Sequence, residues 1–176
     1  MNRIKLEQIS QYQDMQCKLF AEHSVDTNID MYRKRNQFDR RKIESDIYNG
    51  KKAEFMVYNY LRKKKYGCSL VDLNIYKSDD KSFDADLKSE GKNLHIKSHV
   101  VNNLYPVSWL FQKRDPLVVS PSSEDFMVFC VLSDDENYCY SIPSTKILYE
   151  EPKKDELKKT KTCVYESTLL NSVTAK

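Results

Sequence analysis

The sequence lacks the features that mark several common classes of protein. No apolar run approaches the roughly 18 residues of a membrane span, and the polar stretch from Met1 to Lys5 does not form the apolar part of a secretory signal. The five cysteines are scattered without Cys-x-x-Cys spacing, which argues against a disulfide framework and against a zinc site. These absences predict a cytoplasmic protein with reduced thiols and no membrane partner.

The length and the composition predict one soluble globular domain. A chain of 176 residues can build one hydrophobic core and is too short for two comfortable ones. Hydrophobic residues make up 40% of the chain and charged residues 31%, which fits a globular protein. The sequence contains no internal repeat and no low-complexity linker, so it indicates no domain boundary.

The charges are unevenly divided along the chain. Residues 1–66 contain 15 Lys and Arg against 9 Asp and Glu, a balance of +6, whereas residues 67–176 contain 14 against 17, a balance of −3. The basic part is suited to a phosphate backbone and the acidic part to cations. Alternatively, basic runs such as Arg33 to Arg35 and Arg62 to Lys65 are solvated faces of helices.

Three helical segments are predicted in the amino-terminal part. Apolar residues at helical intervals indicate a helix within residues 2–24, and a second, densely basic helix is expected from Met31 to Tyr48, packed on the core or on a second subunit. We expect Gly50 to end that segment. A third helix is predicted from Lys51 to Lys65, before Gly67, because one apolar stripe runs along it. The stripe consists of Ala53, Met56, Val57, Tyr60 and Leu61.

Strands are predicted in most of the remaining chain. The continuous apolar run from Phe126 to Leu132 indicates a strand buried on both faces. In the turn Ser89-Glu90-Gly91, the glycine can take the positive φ that tight hairpins need. The other predicted elements are strands at Cys68–Asn74, Ser82–Lys88, Lys92–Val101, Tyr138–Ile142 and Cys163–Tyr165 and a short helix at Pro143–Leu148, while Asn102–Asp125 lacks clear periodicity. This order favours an α/β domain over residues 1–176, with a mixed central β-sheet flanked by helices and a helical, basic amino-terminal region at residues 1–49.

The hairpin at residues 82–101 has one polar face. Because side chains alternate along a strand, Asp84 and Asp86 share a face of the first strand, and His95, Lys97 and His99 share a face of the second. A lysine in a core strand is costly to bury without anionic partners, which favours a site. Alternatively, the two acids lie on the surface of an edge hairpin and the histidines are ordinary polar strand residues.

The predicted third helix adds a further carboxylate. Glu54 lies one residue, or about 100° of rotation, from the stripe residue Ala53, so it is either held at the edge of the core or solvated. Carboxylates beside a lysine can hold one or two hard cations, and Mg²⁺ needs few protein ligands when substrate phosphates complete its shell. A bound cation activates water, and a lysine stabilises charge on a phosphate. This combination predicts metal-assisted hydrolysis of a phosphodiester.

The same residues resemble the PD-(D/E)XK nuclease superfamily, to which many restriction endonucleases belong. The segment Gly50-Lys51-Lys52-Ala53-Glu54 is similar to its helix element, and Phe83-Asp84-Ala85-Asp86-Leu87 is similar to its aspartate strand. His95-Ile96-Lys97 is similar to its final motif. The segment Ser108–Gln112 and the strand that begins at Asp125 resemble the continuation in restriction-enzyme-like members.

The resemblance covers residues 50–143 and implies a restriction-endonuclease-like fold, with a nuclease-like core at residues 50–176, in a Mg²⁺-dependent endonuclease that cuts double-stranded DNA. Asp86 and Glu54 would bind or position the metal, with Asp84 as the alternative or an additional ligand. His95 stands where the family has an acidic residue, which either shifts the metal preference towards Mn²⁺ or a later transition metal, or weakens the activity. Lys97 would assist the attacking water.

The resemblance also implies that the partner is DNA. A small domain contacts a short stretch of duplex, so a twofold homodimer is the simplest way to cut both strands, with the basic amino-terminal helices at the dimer or phosphate contacts. Two other classes stay open: a non-catalytic DNA-binding protein that lost the chemistry with the exchange at His95, and a protein-interaction module such as an inhibitor. The residues expected to contact DNA are Lys51, Lys52, His99, Lys113 and Arg114.

Overall fold

The structure of the protein is a computed structural model that describes residues 2–34, 37–77, 84–102 and 104–174. No helix within these ranges is both long and apolar enough to cross a membrane. In chain order the elements are β1 (Ile4–Leu6), α1 (Gln11–Lys34), α2 (Arg40–Lys63), β2 (Leu87–Ser89), β3 (Lys92–Val100), β4 (Ser108–Gln112), α3 (Pro116–Val119), β5 (Asp125–Leu132), β6 (Asn137–Pro143), a 3-10 turn (Ser144–Lys146), α4 (Asp155–Lys158), β7 (Lys161–Tyr165) and α5 (Glu166–Thr174).

A five-stranded sheet in the order β1-β6-β5-β3-β2 forms the centre of the fold. Strands β3 and β5 are parallel, with Lys97 opposite Phe129, and the other neighbours in this sheet are antiparallel. Strands β4 and β7 form a separate antiparallel pair. The predicted α/β class with a mixed central β-sheet is therefore confirmed.

Strand β5 lies between two apolar clusters. Met127 and Phe129 pack on one face of the sheet with Trp109 of β4, whereas Val128 and Cys130 pack on the other face with α2. Each fully buried large apolar side chain contributes roughly 1.5–3 kcal/mol to folding. The prediction of a central strand that is buried on both faces is confirmed.

Helix α2 packs its predicted apolar stripe against the sheet. Ala53, Met56 and Val57 are buried, and Tyr60 and Leu61 pack at the margin of the same cluster. The helix starts at an N-cap, Asp39, whose side chain accepts a hydrogen bond from the backbone N–H of Lys42.

The helix runs through Gly50, so the predicted helix break at this residue is wrong. One glycine costs a helix only about 1 kcal/mol relative to alanine, which the burial of the stripe outweighs.

The amino-terminal region differs from the prediction at its start. Ile4 to Leu6 form a short strand that pairs with β6, and the first helix begins only at Gln11. The predicted helix over residues 2–24 is therefore correct only from Gln11 onward. Three residues are too few for a periodic pattern to separate a strand from a helix, and the pairing with β6 decides the structure.

The hairpin is shorter than predicted. Strand β2 begins at Leu87, which lies opposite Leu94, and the predicted strand residues Ser82 and Phe83 lie outside the described residues. Glu90 and Gly91 form the turn with positive φ values of 47° and 73°, as predicted for the glycine.

The predicted first strand, Cys68–Asn74, is reduced to an isolated bridge between Cys68 and Ser89. In the predicted irregular segment Asn102–Asp125, strand β4 and the short helix α3 form. Strand β6 pairs with β5 as predicted, and the predicted strand at Cys163–Tyr165 is part of β7. The predicted short helix at Pro143–Leu148 is a 3-10 turn.

The substitution Gly50→Ala tests the continuity of α2. An added Cβ at this position would meet no heavy atom within 4 Å, so we expect Gly50→Ala to raise the free energy of unfolding by about 0.5–1 kcal/mol. Urea denaturation measures this change. Gly91→Ala is the control and should destabilise the protein, because Gly91 has a φ of 73°. A loss of stability in Gly50→Ala would contradict a continuous helix.

Candidate functional site

Glu54 is a buried carboxylate with a cationic partner. It lies on the face of α2 that packs against the sheet, and only 8% of its surface is exposed. Lys51, one helical turn earlier and also buried, donates a hydrogen bond from Nζ to Oε2 of Glu54 over 2.6 Å. The same Nζ donates to the backbone carbonyl of Asp72 over 2.8 Å. The helix therefore carries a hydrogen-bonded pair of a lysine and a carboxyl group into the core.

The pKa of Glu54 is raised to about 8. Burial is the largest cause, the negative charges of Asp86 and Asp72 add to it, and the ammonium of Lys51 offsets it only in part. The carboxylate therefore has less positive charge around it than its ionised form requires.

Asp86 lies where β2 separates from β3. Its Oδ2 accepts a hydrogen bond of 2.6 Å from the backbone N–H of Ile96, a group that a continued strand would have paired. Because the N–H groups of a strand lie in the plane of the sheet, the Asp86 carboxylate caps the free edge of β3. Its negative charge raises the pKa of Glu54, so the two carboxylates lie within electrostatic range of each other.

His95 and Lys97 lie on the opposite face of the sheet from Glu54. Leu94 and Ile96 pack in the cluster that contains α2, so the alternating residues point to the other side. There, Nζ of Lys97 lies 4.9 Å from the centre of the Phe111 ring. Lys97 forms no ion pair with any residue in the described ranges.

His95 has a carboxylate partner of its own. It is buried, and its Nε2 lies 3.4 Å from Oδ1 of Asp125. Burial would raise the pKa of Asp125, but hydrogen bonds from Asn93 and His95 outweigh burial and lower it. The structure thus places His95 beside Asp125, on the opposite face of the sheet from Glu54.

The carboxylates of Glu54 and Asp86 are the residues that could dock a hard cation, with an incomplete protein shell. Across the described ranges there is no group of three or more His, Cys, Asp or Glu side chains that could hold a metal ion. Mg²⁺ does not require such a group, because one or two carboxylates dock it when waters and substrate phosphates fill the remaining positions. A cation would also supply the positive charge that the buried Glu54 lacks.

The remaining predicted metal ligand, Asp84, is exposed, and its charge acts on Tyr76. Among the described contacts, none joins the Asp84 carboxylate to Glu54 or Asp86. The arrangement of these two carboxylates therefore does not include Asp84.

The predicted DNA contacts occupy different environments. Lys51 is buried in its ion pair, so its ammonium is not presented at the surface. Lys52 is half-buried, with its Nζ 6.0 Å from the centre of the Tyr48 ring. Lys113 and Arg114 are exposed directly after β4.

His99 donates from Nδ1 to the carbonyl of Ser108 over 2.9 Å, and burial lowers its pKa. Its buried Nε2 has no hydrogen-bond partner among the described residues.

The sequence analysis missed two partners in this region. The Lys-x-x-Glu spacing places Lys51 and Glu54 on one helix face, so this pairing is predictable from the sequence. The pairing of Asp125 with His95 depends on the parallel register of β3 and β5, in which Asn93 lies opposite Asp125. No local pattern predicts this register.

The raised pKa of Glu54 gives a pH dependence of stability. Between the ordinary carboxyl pKa and about 8, the folded state holds a proton that the unfolded state releases, so the free energy of unfolding falls as pH rises. In EDTA, we expect Glu54→Gln to remove at least about 1 kcal/mol of this decline between pH 5 and pH 8.

Urea denaturation at several pH values measures the effect. Glu22→Gln, which changes an exposed carboxylate of α1, should keep the wild-type pH dependence. Identical pH profiles for Glu54→Gln and the wild type would show that Glu54 is not perturbed.

Comparison with known proteins finds no family model that matches the chain, and no curated protein and no solved structure matches it significantly.

Proposed function

We propose that the protein is a metal-dependent endonuclease that hydrolyses phosphodiester bonds in DNA. The observation that supports this proposal is the electrostatic coupling of Glu54 and Asp86, of which Glu54 is buried with a raised pKa and Asp86 accepts a hydrogen bond from the backbone N–H of Ile96 at the edge of β3. Perturbed carboxylates brought together in this way are more common at functional sites than elsewhere.

Glu54 and Asp86 are the residues that would hold Mg²⁺. When bound there, the cation would lower the pKa of a coordinated water and neutralise charge on the phosphate. Both groups offer oxygen ligands only, which favours Mg²⁺ or Mn²⁺ over later transition metals. The imidazole of His95, held beside Asp125, is not needed for this shell.

Lys97 is the amine that would stabilise the charge developing on the phosphate. Its Nζ lies against an aromatic ring and has no anionic partner within the described ranges, so its charge is available to a substrate. Lys97 lies on the opposite face of the sheet from Glu54, but Asp86 lies in the plane of the sheet. A phosphate at the edge of β3 can therefore be approached by groups from both faces, which supports this role of Lys97.

The exposed Lys113 and Arg114 follow the strand that carries Phe111, and they are the proposed contacts to the DNA backbone. A homodimer is proposed for cutting both strands. Exposed apolar side chains at helical spacing on α1 support a second subunit on this face, and they are Tyr12, Met15 and Leu19.

A plasmid-cleavage assay with Mg²⁺, Mn²⁺ or EDTA tests the proposal. We expect cleavage with either cation and none in EDTA. Asp86→Asn keeps an acceptor for the Ile96 N–H but loses the charge, so its activity should fall roughly 100-fold or more, as should that of Lys97→Ala. Lys88→Ala, an exposed residue on β2, is the control and should cut like the wild type.

Circular dichroism establishes that the variants fold. If folded Asp86→Asn and Lys97→Ala cut DNA as fast as the wild type, the assignment of the site is contradicted.

A second candidate function is non-catalytic DNA binding. It is favoured by the position of His95, which leaves two carboxylates without the third ligand that the resemblance implies. Such a protein would shift the mobility of DNA with a steep dependence on salt and would cut in neither Mg²⁺ nor Mn²⁺. Failure to bind DNA even at low salt would contradict both candidates.

A further inference from the structure

A cleft beside the candidate site is lined by aromatic, amide and aliphatic side chains. It lies between α1, α2 and residues 74–76, and its volume is about 110 Å³. Within the described ranges, no charged side chain lines it. The cleft therefore suits a flat, neutral group better than a phosphate or an acidic peptide. The residues that define its chemistry are Phe20, Asn28, Tyr32, Ile47, Asn74 and Tyr76.

Hydrogen bonds fix the walls of this cleft. Helix α1 is interrupted at Asn28, which has φ −121° and ψ 15°, and the Asn28 side-chain amide donates to the carbonyl of Tyr76 over 3.0 Å. The Asp72 carboxylate accepts hydrogen bonds from the Asn74 backbone N–H over 2.9 Å and from the Tyr76 hydroxyl over 2.9 Å. The aromatic wall formed by Tyr76 is thus tied both to α1 and to Asp72.

The cleft lies close to Glu54, with the ammonium of Lys51 between the Phe20 ring and the carboxyl group. Nζ of Lys51 lies 4.5 Å from the centre of the Phe20 ring and 2.6 Å from Oε2 of Glu54, so the ring centre is within about 7 Å of that oxygen. A base and its own phosphate are separated by a distance of this order within one nucleotide. A strand with a phosphate at Glu54 could therefore place a neighbouring base in the cleft.

We propose that the cleft is a base-binding subsite, which takes one unstacked nucleobase of the DNA strand whose phosphate lies at Glu54 and Asp86. The inference rests on the proposed function. Stacking on an aromatic side chain strengthens binding roughly 5- to 150-fold per base and tolerates every base, because each base has a π-face. A base in the cleft has left the duplex stack, so single-stranded or locally unpaired DNA binds more tightly than intact duplex.

The test compares two oligonucleotides in Ca²⁺, a hard cation that can join the phosphate to the two carboxylates, under conditions in which no cleavage is detected. One is a fluorescently labelled single strand, and the other has the same length but only abasic positions. Fluorescence anisotropy gives the Kd of each. Tyr76→Leu removes a ring of the cleft, and we expect it to weaken binding of the normal strand roughly 5- to 150-fold while leaving the abasic strand unchanged.

Three variants complete the experiment. Tyr76→Phe keeps the ring and loses the hydroxyl bond to Asp72, so it should bind like the wild type. Tyr66→Leu changes an exposed tyrosine outside the cleft and should also bind like the wild type. Tyr32→Leu removes a second ring of the cleft and provides the same comparison if Tyr76→Leu fails to fold.

The outcomes separate the two proposals. Equal weakening for the normal and the abasic strand, or no weakening in either ring variant, would overturn the base subsite. If the wild-type protein cuts plasmid DNA but the ring variants bind DNA as tightly as the wild type, only the base subsite is overturned. Wild-type protein that binds neither single-stranded nor duplex DNA would contradict the proposed function itself.

Discussion

The buried carboxylate of Glu54 is the constraint on which the candidate site depends. Apolar residues of α2 pack against the sheet, and this packing carries Glu54 into the core, where the ammonium of Lys51 accompanies it. A buried charge needs partners, and here Asp86 adds negative charge where positive charge is required. A divalent cation at this position would remove the imbalance, which links the packing of α2 to the proposed chemistry.

The sheet supplies the second half of the site through an interruption. Because β2 begins only at Leu87, no strand among the described residues pairs with Ile96 on this edge of β3, and the carboxylate of Asp86 accepts the hydrogen bond of its backbone N–H. Because the Asp86 carboxylate lies in the plane of the sheet, it is accessible from both faces of the sheet. Glu54 approaches the edge from the helical face, while Lys97 lies on the face of the aromatic cluster.

The sequence predicts the strongly periodic elements of this fold. The stripe of α2 and the apolar run of β5 are long enough for their periods to be unambiguous. The start of the chain has no such period, because the three residues of β1 acquire their conformation by pairing with β6. The alternation of side chains along the strands predicts one polar face of the hairpin. It does not predict that α2 packs on the other face, the one that carries Leu94 and Ile96. For that reason His95 and Glu54 lie on opposite sides of the sheet, although both resemble positions of the same family pattern in the sequence.

Calorimetric titration with Mn²⁺ tests the central claim, that Glu54 and Asp86 form one cation site, independently of any cleavage. The account predicts one bound ion per chain, loss of binding in both Glu54→Gln and Asp86→Asn, and release of about one proton per ion at pH 7, because the metal requires the ionised form of a group whose pKa is about 8. Titration in buffers of different ionisation enthalpy measures the proton release. Equal Mn²⁺ binding by the wild type and by both variants would contradict the account.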